Sequence, residues 1–187
     1  SAAWIAGLAR RRPRVLGGDV LVLPPVRPPA ARWPEADAAG TRIGHLCDTL
    51  PTSLRRRLAL PAGLLDGVPE RDLPAGARRR LLMRLALARD VRLVIGGDPA
   101  ELAACFGAAD EAAEAIIRDI RDGTFACAGP LPASLEQALA RRFPRDRDRA
   151  RDLARGRDVR DGRLLPVEAW SLEAVGCLAQ GREVTLR

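Results

Sequence analysis

The chain has 187 residues, 47% of them hydrophobic and 29% charged, with a formal net charge of +7. A chain of this length is one ordinary domain able to bury about two-thirds of its unfolded surface, and its apolar content excludes a disordered polymer. No run approaches the roughly 20 consecutive apolar residues of a membrane helix, and the first ten residues carry their charge on the wrong end for a signal peptide. A soluble, cytoplasmic protein is expected.

The composition is narrow. There is no Lys, Asn or Tyr, so every basic side chain is Arg, as a GC-rich coding bias would produce. The chain starts at Ser1 rather than Met, which leads us to expect a processed chain or a piece of a longer one. Cys47, Cys105, Cys127 and Cys177 are scattered without a CxxC pair, and His45 is the only histidine. A structural zinc site needs clustered ligand pairs, so four reduced, mostly buried thiols are expected and no metal.

In chain order, residues 3–12 read as a helix closed by Pro13 and the Gly17-Gly18 turn. Val20-Leu-Val-Leu23, between Gly-Gly and Pro-Pro, has the pattern of a strand buried on both faces. Pro25–Gly40 reads as loop, with short strands at Thr41–Leu46 and Leu58–Pro61. Ala75–Arg89 carries Leu81, Leu82, Leu85 and Ala88 at helical spacing, and Val91–Ile95 follows as a strand. After Gly96-Gly97, Asp98 can cap a helix with Pro99 at its first position and Glu101 three residues past the cap, ending near Phe106-Gly107. Asp110 starts another helix with Ala113, Ile116, Ile117 and Ile120 inward and Gly123 as its stop. Leu131, Leu135 and Leu139 mark a further helix. Arg145–Arg155 forms a charged one with Ala150 and Leu153 inward, closed by Gly156. Leu172–Val175 with Cys177 reads as a final strand. The predicted class is α/β, with a mixed sheet and more helix than strand.

The positive charge falls in blocks, and the run from Arg141 to Asp161 alone holds nine Arg against five Asp, or +4. A nucleic-acid or acidic-partner surface over Arg141–Arg160 is one reading. Against it, the arginines alternate with aspartates and no aromatics interleave to stack bases. A solvated helical face is the better account of that pattern. The remaining constellations are weak. Gly17-Gly18 and Gly96-Gly97 lack the spacings of phosphate loops. His45 and Asp48, three apart in a strand, would point to opposite faces, which disfavours a catalytic pair.

The order of segments after residue 91 adds a resemblance. Val91-Arg-Leu-Val-Ile-Gly-Gly-Asp-Pro-Ala-Glu-Leu, Ile117-Arg-Asp-Ile-Arg-Asp-Gly-Thr-Phe125, Pro144–Leu153 and Leu164–Gly181 occur in sequence. Together they resemble the strand–"NPS"–helix, "L-x-x-D-I-R-x-G-x-L", "P-x-P-x-R-A-x-x-L" and "L-L-P-x-x-W-P-N-L-x-x-I-x-C-W-x-x-G" segments of the Gretchen Hagen auxin-responsive family of acyl-acid amido synthetases. Trp4–Leu8, Gly17–Leu23 and Ile43–Asp48 fit the same family more loosely.

The resemblance implies an adenylate-forming ligase. ATP, with Mg²⁺, and a small carboxylic acid give an acyl-adenylate, which an amine or amino acid converts to an amide. It also implies that residues 1–187 are an internal region of the large domain, or a shortened relative of the enzyme. The phosphate loop and the C-terminal lid lie outside it, so the chain alone is expected to be inactive. Its part of the acyl pocket would be Ile95, Gly96, Gly97, Cys177 and Gly181, at strand ends where open α/β sheets place ligands. Gly97 and Leu178 stand where the family often has Trp, which points to a different substrate shape, a relaxed site or a decayed homologue, while Asp98 in place of Asn is a mild change that still caps a helix. A further reading is a non-catalytic interaction domain whose apolar faces are covered by a partner or a second copy.

Overall fold

The computed structural model describes residues 2–23, 52–60, 73–74, 76–96, 99–127, 129–140, 142–179 and 182–186. The fold is α/β. Its elements are α1 (Ala2–Arg11), a 3-10 turn over Pro13–Gly17, β1 (Asp19–Leu23), α2 (Thr52–Arg55), α3 (Ala77–Leu87), β2 (Val91–Gly96), α4 (Pro99–Glu111) and α5 (Ala113–Asp122). α6 (Ala133–Ala140), α7 (Arg147–Asp158), α8 (Pro166–Ala169), β3 (Ala174–Ala179) and β4 (Arg182–Leu186) complete it.

The sheet runs β1-β2-β3-β4, with β1, β2 and β3 parallel and β4 antiparallel to β3. Parallel strands need both faces covered, which is why Val20–Leu23 and Leu93–Ile95 are continuous apolar runs. On one face, Ile5, Val15 and Leu54 pack on Val20, Val22, Leu93 and Ile95. On the other, α3, α4, α5 and α7 build the larger core over Leu21, Leu23, Val94 and Cys177. A register shift pairs Asp19 with Val91 but Val20 with Leu93, leaving Arg92 as the extra residue of a bulge. Its side chain lies over Gly17 and Gly18, where a Cβ on Gly18 would meet Arg92 Cγ at 2.6 Å.

Several predicted boundaries shift. The helix from Pro99 does not stop at Phe106-Gly107 but runs to Glu111, because Gly107 faces open space and costs only about 1 kcal/mol there relative to Ala. Asp110 therefore ends α4 rather than starting α5. Gly156 does not close α7, which continues to Asp158. Its missing side chain instead admits α8, since a Cβ there would sit 3.3 Å from Glu168 Cβ. Of the strand expected at Leu58–Pro61, residues 58–60 show one parallel bridge, between Leu58 and Val20, and Pro61 lies outside the described residues. α2, α8 and β4 were not anticipated. Gly123 does end α5, at φ 70°. Thr41–Leu46, the Pro25–Gly40 loop, and His45 with Asp48 lie outside the described residues.

Candidate functional site

The carboxyl ends of β2 and β3 lie side by side. Ile95 pairs with Gly176 and Gly96 with Cys177, while Leu23 at the end of β1 pairs with Gly96 from the other side. Three of the predicted pocket residues thus meet at one end of the sheet. They do not share a face, because strand side chains alternate. Ile95 packs toward α1 and α2, and Cys177 toward the α3–α5 core. Gly96 belongs to the Cys177 side, where a Cβ would come within 2.7 Å of Leu102 Cγ on α4. Only a glycine lets α4 approach that closely. Gly97 and Gly181 lie outside the described residues.

The first turns of α4 bring a polar group beside this edge. Arg79 on α3 donates two hydrogen bonds to Glu101, at 3.1 and 2.8 Å. Cys105, one turn further, contacts Glu101 Oε1 at 3.6 Å. Burial and the Glu101 carboxylate push the Cys105 thiol up to about 12, which makes it an inert thiol rather than a nucleophile. Cys105, Cys127 and Cys177 are all unbridged.

The resembling segments meet away from the sheet, in the helical layer. Asp119, the acid of Asp119-Ile-Arg-Asp-Gly-Thr-Phe125, is 2% exposed. It accepts from Thr124 Oγ1 at 3.0 Å, from the Ala126 N–H at 3.1 Å and from Arg80 Nη2 at 3.4 Å. Arg84, fully buried, donates to the carbonyls of Thr124 and Asp119 at 3.2 and 3.0 Å. Arg84 lies over the Phe143 ring and Arg80 over Phe125, and the two rings stack. Desolvation lowers the Arg84 pKa, opposed by the charge of Asp119.

Arg149, of the Pro144–Leu153 segment, donates to the carbonyls of Leu87 at 2.7 Å, Arg89 at 3.0 Å and Ala169. It therefore supplies the carbonyls at the ends of α3 and α8 with the donors they lack. Leu164 donates its N–H to Asp110 at 2.7 Å, and the Trp170 indole donates to Ala86 at 3.2 Å while meeting Phe106 edge-on. A void of about 10 Å³ beside Trp170, lined by Met83, Leu87 and Phe106 among others, is at the threshold for a single water.

Sequence reasoning missed Arg84 and Arg149. Arg84 carried a signal: positions 77, 81, 84 and 88 form one helical stripe, and an Arg on that stripe must be buried with α3.

Several arginines of α7 and of the loop after it are paired with carboxylates. Arg151 pairs with Asp148 at 2.8 Å and Arg155 with Asp152 at 3.6 Å, while Arg157 reaches Glu114, Arg160 reaches Glu168 and Arg163 reaches Asp110. The sequence has no Lys, and among the described residues no group of three His, Cys, Asp or Glu side chains is placed to hold a metal ion. Among the described residues, too, no helix is long and apolar enough to cross a membrane. No protein-family model matches this sequence, and no curated protein matches it.

Proposed function

We propose that this chain is part of the large domain of an ATP-dependent, cytoplasmic acyl-acid amido synthetase. Such an enzyme joins a carboxylic acid to ATP, releasing pyrophosphate, and then passes the acyl group from AMP to an amine. The reading rests on the family resemblance. One observation supports it: the residues that carry the resemblance are those that join the elements. Asp119 closes α5 onto its following loop, Arg149 binds the ends of α3 and α8, Leu164 and Trp170 anchor the approach to β3, and Cys177 pairs with Gly96.

In this reading the described residues supply a rigid wall, not the nucleotide chemistry. Leu23, Gly96 and Cys177 hold the carboxyl ends of three parallel strands in one register, and α4 seals them through Leu102. Rigid strand ends would fix the orientation of a bound acyl group, and orientation lowers the barrier to a displacement at phosphorus. ATP and Mg²⁺ are assigned to other segments of the enzyme. The Arg-rich surface reading is disfavoured by the five ion pairs that tie arginines of α7 and the loop after it to carboxylates.

The test is a titration of the ¹⁵N-labelled chain with aliphatic and aromatic carboxylic acids. Saturable shifts of the Ile95, Gly96, Gly176 and Cys177 amides are expected. Shifts confined to arginine-rich surface helices, or none, would overturn the assignment.

A further inference from the structure

We infer that the Arg80–Arg84–Asp119 cluster is a binding site for a small inorganic anion of the halide class. The argument starts from charge. Two guanidinium groups enter this region of the core, and Arg stays protonated in proteins. Among the described residues one carboxylate, Asp119, answers them, leaving an excess of +1. Asp119 spends its oxygens on Thr124, the Ala126 N–H and Arg80, and none on Arg84. Arg84, fully buried, is met by neutral carbonyls of Thr124 and Asp119 and by the Phe143 ring 4.7 Å from its Cζ.

Two donors remain. Arg84 Nη1 and Arg80 Nε are buried and have no hydrogen-bond partner among the described residues. They sit one helical turn apart on the same face of α3, over rings that stack on each other. A water would satisfy one or both donors but bring no countercharge to the fully buried Arg84, whose hydrogen bonds go to neutral carbonyls. A monovalent anion satisfies the donors and cancels the charge, and buried charges persist only when compensated. Entry is from the rim, where the Arg80 side chain keeps 23% of its exposure. Burial strips an ion of its water, which costs least for a weakly hydrated ion such as chloride or bromide. This inference stands independently of the proposed ligase reading.

The experiment is thermal unfolding of the 187-residue chain in sodium chloride and sodium bromide against sodium gluconate at equal ionic strength. Halide should raise the midpoint saturably, by about 5 °C once the ion exceeds its dissociation constant roughly 100-fold. Arg80→Met removes the excess charge while leaving the Arg84–Asp119 contacts, and it should abolish the difference between halide and gluconate. Bromide soaked into crystals should give anomalous density beside Arg84 Nη1 in the wild type and not in the variant. Equal midpoints in halide and gluconate for the wild type mean that water alone serves the two donors, and would overturn the inference. So would an unchanged halide response in Arg80→Met, which would mark a general surface effect.

Discussion

Arg149 Nε donates to the carbonyl oxygen of Leu87 across 2.7 Å, so an arginine of the charged helix α7 terminates the buried helix α3. The same guanidinium reaches the carbonyls of Arg89 and Ala169, which makes it the joint between α3, α7 and α8. What looks in the sequence like one more solvated arginine is a structural donor.

Arg149→Met should therefore destabilise the chain by about 3 kcal/mol in urea unfolding, since it leaves the part-buried carbonyls of Leu87 and Ala169 without their charged donor. Arg149→Lys should recover less than half of that loss, because one ammonium cannot reproduce a planar fork aimed at three acceptors. Equal stability of the Met variant and the parent would show that water replaces the guanidinium at no cost.

Asp119 holds the loop after α5 from a buried position. Asp119→Asn should cost about 3 kcal/mol, as expected when one partner of a buried charge pair is removed. Thr124→Val, which deletes a single hydrogen bond to the same carboxylate, should cost about 1 kcal/mol. The ordering of the two in chemical denaturation is the check. A larger effect at Thr124 would mean that the loop, and not the carboxylate, organises the cluster.

Much of this architecture was legible, for identifiable reasons. β1 and β2 stood out because strands buried on both faces must be continuous apolar runs, and α5 because Ala113, Ile116 and Ile120 repeat at helical spacing. Glycines misled. Gly107 and Gly156 read as stops, yet one faces open space within α4 and the other admits α8 against α7, a distinction that depends on the neighbouring element. The meeting of Gly96 with Cys177 follows from strand order, which residue patterns over the intervening helices cannot specify. Arg149 was hidden because its acceptors lie 62, 60 and 20 residues away in sequence.

The alkaline limb of stability reports on Cys105. Its folded pKa is raised to about 12 by burial first and then by the Glu101 carboxylate, with Arg79 opposing. A thiol ionises more readily in the unfolded chain, at about 8.5. The stability from keeping this thiol neutral is thus fully present below about pH 8.5 and lost as pH rises toward 12. With no Lys or Tyr in the chain, few other side chains titrate in that window. Cys105→Ala should flatten the fall in unfolding free energy measured between pH 8 and 11. An unchanged slope would place the titration at another thiol.

Gly96 and Leu102 form a testable contact at the proposed pocket wall. Gly96→Ala should destabilise by about 1–3 kcal/mol through overpacking against Leu102. Leu102→Ala alone should cost about 2–4 kcal/mol. The double variant should be more stable than the sum of the two losses by at least about 1 kcal/mol, because the added methyl fills the space that the leucine vacates. Strict additivity would show that the strand end and α4 are not in the contact described.

The ligase assignment is decided most directly by carboxylate-dependent ATP–pyrophosphate exchange, measured on the complete gene product that contains these residues and on the 187-residue chain in parallel. The complete product should exchange label only when a carboxylic acid is present, and should lose most of that exchange on Gly96→Ala, while the chain alone shows none. Absence of acid-dependent exchange in a folded complete product, across a panel of aliphatic and aromatic acids, would contradict the assignment.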